Sequence, residues 1–238
     1  MNDNGVQHFA RLKETSDLVW PIIEREVENL YENLRVYDDD KAVLKSEMEV
    51  FFKRRRHKLL LRPYLTRLAY EFYGGKDWKK NIDVFAAVEL FNISTYQSNL
   101  CFDKKLMNEV ANNSNQYIAS MLTLSLATKL IQDSQIFSSE QKNRAIQLLN
   151  ESNNKVYLGQ YIDLNMLTFS KFKSYQYQKN QYGIVRYKKK HFYHDYVERC
   201  NKIGGSTFEV CLIGALLNSN TDLEKVEELR NLYYKFGS

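Results

Sequence analysis

Residues 54–103 read RRRHKLLLRPYLTRLAYEFYGGKDWKKNIDVFAAVELFNISTYQSNLCFD, and this stretch decides the fold. Two helical patterns meet across Gly74-Gly75. The first opens at Leu61-Arg62-Pro63 and carries Leu65, Leu68, Ala69 and Phe72. The second carries Val84, Phe85, Val88, Phe91 and Ile93 and runs to a polar end at Asn99 and Asp103. Apolar residues recurring three and four apart mark a helix with a buried face. Asn99 and Asp103, four apart, share one face of their helix.

The rest of the chain repeats that period. A helix is expected from Ser16, through Leu18, Ile22, Ile23, Val27, Leu30, Tyr31 and Leu34, with Pro21 in its first turn and a frayed polar segment before it. Lys41–Phe52 reads as a second helix. Tyr117–Ile131 is strongly apolar and reads as a central core helix or an oligomer face. Ser138-Ser139-Glu140-Gln141 caps a helix running to about Asn150, and Ser152–Phe169 forms another. Asp195–Leu217 is helical around Gly204-Gly205, where paired glycines kink a helix or admit a ligand to the backbone. Thr221–Glu224 caps a last helix ending near Tyr234. With only two prolines and nine glycines in 238 residues, long helices are favoured over many short strands. The fold class is therefore all-α, one domain over 1–238.

Charge and cysteine usage narrow the setting. A net charge of +5 suits an anionic ligand, a membrane surface or nucleic acid without choosing among them. Cys101, Cys200 and Cys211 show no CxxC spacing and read as reduced thiols of a cytoplasmic protein. No uncharged run is long enough to span a bilayer. The run Lys53–Lys58 is a solvated face, a phosphate clamp beside Arg62, or a nucleic-acid patch. Asp38-Asp39-Asp40 reads as a loop ending in a helix N-cap. Residues 170–194, SKFKSYQYQKNQYGIVRYKKKHFYH, read as a loop, a lid, or a β-hairpin turning near Gly183. Interleaved basic and aromatic residues of this kind also suit single-stranded nucleic acid, so a basic nucleic-acid-binding helical protein is one alternative. His191 and His194 read as surface histidines.

Several landmarks in order resemble the trans-prenyltransferases, the polyprenyl synthetase family that joins isoprenyl diphosphates. Leu61-Arg62-Pro63 falls on the family's x-Arg-Pro segment, and Ala86–Phe91 on the helix leading to its first aspartate-rich motif. Asn99–Asp103 falls on that motif, Asp-Asp-x-x-Asp. Gly159-Gln160-Tyr161-Ile162-Asp163-Leu164 matches Gly-Gln-x-x-Asp-Leu, and Lys202-Ile203-Gly204 with Gly214-Ala215 matches the Lys-Thr-Gly helix. The departures are as definite. Asn99 and Leu100 replace the aspartate pair, Leu59 and Leu60 replace Lys and Arg, and Ile203 replaces Thr. The chain ends at Ser238, ahead of the second aspartate-rich motif, so the family's C-terminal part is expected to be missing.

The resemblance implies antiparallel helices around a central cavity. It implies that Arg62, Lys202, Gln160 and Asp163 bind the substrate diphosphate, and that Asn99 and Asp103 hold Mg2+. An active protein of this kind is a magnesium-dependent prenyltransferase, because leaving pyrophosphate must be neutralised by hard divalent ions. The degenerate motifs favour an impaired enzyme, or a non-catalytic regulatory subunit of a heteromeric prenyl diphosphate synthase. The partners implied are isoprenyl diphosphate and either a second copy of the chain or an active synthase subunit. The bulk of Phe91, Tyr96 and Phe102 suggests a short or blocked product tunnel.

Overall fold

The computed structural model describes residues 3–56, 58–102, 113–170, 178–180, 183–185, 196–217 and 223–237. Eight helical elements account for nearly all of them: α1 (Asp3–Asn33), α2 (Asp38–Arg55), α3 (Leu61–Phe72), α4 (Ile82–Phe102), α5 (Asn113–Asp133), α6 (Ser139–Ser170), α7 (196–216) and α8 (Leu223–Gly237). A short hairpin pairs β1 (Gln178–Asn180) with β2 (Gly183–Val185) in antiparallel register, with Asn180 opposite Gly183. The all-α expectation holds, and the hairpin turns where Gly183 suggested.

Helix α4 is the centre. Every residue from Val84 to Thr95 is buried, so the helix is enclosed on all sides rather than striped. Around it pack α1, through Val19, Ile23, Val27 and Tyr31 at a four-residue spacing, and then α3, α5 and α6. Serines bring α5 close: Ser94 Oγ donates to the Ser120 carbonyl at 2.8 Å, and Ser98 Oγ to Ser120 Oγ at 2.9 Å. The break after α3 is made by Gly74, whose φ of 83° ends the helix in the left-handed region.

Several boundaries differ from the sequence reading for physical reasons. Helix α1 begins at Asp3 rather than Ser16, because its first half is tied down. Arg11 pairs with Glu71, and Arg67 reaches Glu14 at 3.0 Å and Thr15 at 3.1 Å while lying 3.7 Å over the Trp78 ring. Pro21 therefore falls in mid-helix. The two helices expected over 140–169 are one, because the polar stretch around Asn150 lacks Gly or Pro to end it. Its start is the expected capping box, with Gln141 N–H donating to Ser138 Oγ at 3.2 Å and Ser138 N–H to Gln141 Oε1 at 2.9 Å. The aspartates at 38–40 form the first turn of α2 rather than a loop. On α5, Ile118 and Met121 face outward while Ala119, Leu126, Ala127 and Leu130 are buried. His191, His194 and most of 170–194 lie outside the described residues, as does the 104–112 connector.

Helix α7 changes pitch twice. Asn201–Gly205 is a π-helical turn, and Val210–Leu212 tightens to a 3-10 turn. Glycines let neighbouring helices close on it. A Cβ at Gly214 would collide with the Thr66 carbonyl of α3. One at Gly159 would lie 2.8 Å from Lys202 Cβ and from Ile203 Cγ1. One at Gly205 would lie 2.8 Å from the Tyr234 carbonyl of α8. The Gly204-Gly205 pair thus admits another helix of the same chain to the backbone.

Candidate functional site

The described candidate residues come from four helices, α3, α4, α6 and α7, and the fold unites some of them. Gln160 and Asp163 sit three apart on α6, the helix whose Gly159 lets the π-helical turn of α7 approach. Gln160 is 3 % exposed, and its side-chain N–H donors have no partner among the described residues. An unmet donor at that depth costs about 1–3 kcal/mol unless a water or ligand takes it. Asp163, 8 % exposed, accepts a 2.6 Å hydrogen bond from Arg199 Nη1. Lys202 Nζ pairs with Glu198 at 2.8 Å one turn back on α7.

Arg199 is the residue that sequence reasoning missed. Its Nη1 is held by Asp163, its Nη2 lies 3.6 Å from Cys200 Sγ, and its guanidinium sits 5.1 Å from the Tyr196 ring centre. Its Nε is buried without a partner among the described residues. Burial disfavours the charged form, but hydrogen bonds to Asp163 and Cys200 outweigh it and hold the pKa above the usual arginine value. The available signal was position: Arg199 lies one turn before Lys202, to which the resemblance assigns the same diphosphate as Asp163.

Arg62 points elsewhere. Its Nε donates to the Thr207 carbonyl at 3.2 Å and its Nη2 to Thr207 Oγ1 at 3.0 Å, with the guanidinium 4.4 Å from the Phe208 ring centre. Burial pushes its pKa down, opposed by the charge of Glu89. Arg62 therefore clamps α3 to α7, and no described contact joins it to Gln160 or Asp163. Arg55, from the basic run, is likewise engaged. Its Nη2 and Nε donate to the buried Glu89 at 2.7 and 3.1 Å. Arg56 pairs with Glu24 at 2.8 Å. The run is thus partly internal rather than a free cationic face.

Asn99 is half-buried near the end of α4, and Asp103 lies outside the described residues. Magnesium takes hard oxygen ligands, commonly one or two carboxylates with phosphate and water oxygens. Asn99 offers a neutral amide, and Asp163 is already held by a guanidinium. No group of three His, Cys, Asp or Glu side chains among the described residues is placed to hold a metal ion.

The tunnel reading needs revision as well. Tyr96 is 41 % exposed and points outward, Phe91 is packed into the core, and the side chain of Phe102 is outside the described set. Before Asn99 on α4 stand Ser94, Thr95, Gln97 and Ser98, all buried. Tyr157 of α6 joins them, its hydroxyl 3.2 Å from Ser98 Oγ. Gln97 is fully buried, and both its amide atoms lack partners among the described residues. Two clefts of about 350 and 310 Å3 lie elsewhere, one between α1 and α2 and one among α6, α7 and α8. No helix among the described residues is long and apolar enough to cross a membrane.

No family model matches the chain, and no curated protein matches it in sequence. Solved structures do match in shape. A geranylgeranyl pyrophosphate synthetase from Pyrococcus horikoshii superposes over 99 % of this chain with a TM-score of 0.71 at 18 % identity. A polyprenyl synthetase from Streptomyces coelicolor matches over 96 % at 0.68 and 15 % identity. A putative farnesyl-diphosphate synthase from Marinomonas matches over 96 % at 0.67 and 15 % identity. The chain spans 64 %, 63 % and 75 % of their lengths, respectively.

Proposed function

We propose that this chain, whose fold is that of the trans-prenyltransferases, is a polyprenyl synthetase-like protein of isoprenoid biosynthesis that binds isoprenyl diphosphates where α6 meets α7. The observation that carries the reading is Gln160: a buried donor without a partner among the described residues, on α6 three residues before Asp163 and next to Gly159, where the turn bearing Lys202 packs. Diphosphate oxygens are acceptors of the kind those groups require, and charge-assisted hydrogen bonds to phosphate are the strong ones. Lys202 is 19 % exposed and its partner Glu198 40 %, so a diphosphate would exchange with Glu198 at a partly buried ammonium.

Isothermal titration with a non-hydrolysable allylic diphosphate analogue tests this. Saturable binding is expected, weakened at least tenfold in Lys202→Ala while the far-ultraviolet circular dichroism stays unchanged. Equal binding in both proteins, or none in either, overturns the reading.

A second reading, a non-catalytic subunit seated on an active synthase or on its own copy, rests on a different surface. Ile118 and Met121 on α5 and Leu158 and Tyr161 on α6 are 43–65 % exposed. The two helices meet there, with Tyr157 Oη 3.6 Å from Met121 Sδ. An apolar patch at this exposure fits an interface core. Sedimentation velocity is expected to show a dimer that dissociates in Met121→Glu; a monomer at all concentrations removes the homodimer form of this reading.

A further inference from the structure

A cleft of about 350 Å3 opens between α1 and α2, away from the α6–α7 junction, and a role for it is independent of the diphosphate reading. We infer that this cleft binds a small organic ammonium ligand on its aromatic walls, and that Lys45 of the chain itself occupies the cation position of the site.

Volume and walls suit a small molecule. Ligand pockets run to about 300–1,000 Å3 and are lined largely by apolar and aromatic side chains with a few placed polar groups. Here the rings of Trp20, Tyr31 and Phe52 line the cleft, each 5–8 % exposed. One polar group among them is unmet: Tyr31 Oη is buried with no hydrogen-bond partner among the described residues. Its surroundings carry negative charge. Burial first, and then the charges of Glu49 and Glu28, raise the Tyr31 pKa above the ordinary tyrosine value of 10.0. A hydroxyl in the field of two carboxylates suits a ligand that brings a positive donor. The chain shows what such a group does there. Lys45 Nζ donates to both carboxylate oxygens of Glu28, at 3.0 and 3.1 Å, and lies 5.3 Å from the centre of the Tyr31 ring, within the range of a cation–π contact. That lysine is replaceable. Its side chain is 42 % exposed and that of Glu28 54 %, and an exposed pair of this kind contributes little to stability. An anionic ligand has no such opening, because the other cations at the rim are engaged: Arg56 pairs with Glu24 at 2.8 Å and Arg25 with Glu26 at 3.0 Å.

Titration of the intact chain with phenethylammonium, its neutral isostere phenethyl alcohol and the anionic hydrocinnamate, followed by the indole N–H resonance of Trp20, tests this. Trp20 Nε1 donates to the Lys58 carbonyl at 3.4 Å, so the signal reports from the wall of the cleft. The ammonium is expected to shift it saturably, with the alcohol binding at least tenfold more weakly and hydrocinnamate more weakly still. Lys45→Met should tighten the ammonium at least threefold by vacating its position. Glu28→Gln should weaken it at least threefold, and Lys41→Met, one turn away on α2, should leave it unchanged. Thermal melting checks that each variant is folded. Alcohol binding as tightly as the ammonium would mean an apolar cleft only and overturns the inference. So does an ammonium affinity that Lys45→Met leaves unchanged or lowers, or a Trp20 signal that none of the three ligands moves.

Discussion

Gln97 and Gln160 pose the same question at the level of single side chains and receive different answers. Both are buried amides with unmet groups. Gln160 lies on α6 three residues before Asp163, which Arg199 of α7 holds; Gln97 sits in the α4 interior. An unsatisfied buried amide costs about 1–3 kcal/mol, and an apolar side chain of similar size removes that cost. Gln97→Leu is therefore expected to raise unfolding stability by about 1–3 kcal/mol in urea. A loss of stability would mean that Gln97 has a partner in solution, such as an ordered water. The same scale explains what was legible. Gln160, Asp163 and Lys202 stood out through the family resemblance, and the fold packs the helix of the first two against the helix of the third. Arg199 did not stand out, because its importance comes from a carboxylate reached across two helices rather than from its neighbours in sequence. Arg62 stood out through the resemblance of its x-Arg-Pro segment, which says nothing of Thr207, a partner that only the tertiary fold brings near.

At the scale of elements, helix contacts depend on a few positions without side chains. Gly214 lets α7 rest on the backbone of α3 at Thr66, and both partners in that contact are main chain, so neither can rotate away. Gly214→Ala is expected to force the helices apart at a cost of about 1–3 kcal/mol, measured as a lowered midpoint in urea. An unchanged midpoint would contradict the close approach. Gly5, with nothing within 4 Å of its missing Cβ, is the control position and should tolerate alanine. The existence of α3, α4 and α5 was readable, but their faces were not: α4 is buried all round, and of the face read for α3 only Ala69 is fully buried while Phe72 is exposed. The fusion of α6 and the early start of α1 were not readable. Polarity at 150–154 mimics a break when no breaker is present. The first turns of α1 are held by Arg11–Glu71 and Arg67–Glu14, ion pairs that hydropathy does not register.

For the whole molecule, acid stability reports how such pairs unite distant parts of the chain. Glu26 of α1 receives Lys129 of α5 at 3.0 Å and Arg25 at 3.0 Å. Burial pushes its carboxyl up, but the hydrogen bonds from Lys129 and Arg25 outweigh that and hold it below the ordinary value of 4.5. A folded-state pKa below the unfolded one contributes stability that is complete above the unfolded value and is lost as pH falls through the folded one. Glu14, lowered by Lys79 and then Arg67 against burial, acts in the same direction. Urea midpoints are expected to fall as pH drops below 4.5, and to fall less steeply in Glu26→Gln. Parallel curves would contradict the coupling. These links tie α1 to α3 and α5. The proposed function concerns a different place, the meeting of α6 and α7, and its claim is that an isoprenyl diphosphate is held by the donors there. The most direct test is the side-chain amide resonance of Gln160, assigned with a Gln160→Asn variant and followed by nuclear magnetic resonance as the allylic diphosphate analogue is added. A shift that saturates with the calorimetric affinity, and is lost in Lys202→Ala, is the predicted result. An amide that does not move while the ligand binds would contradict the claim.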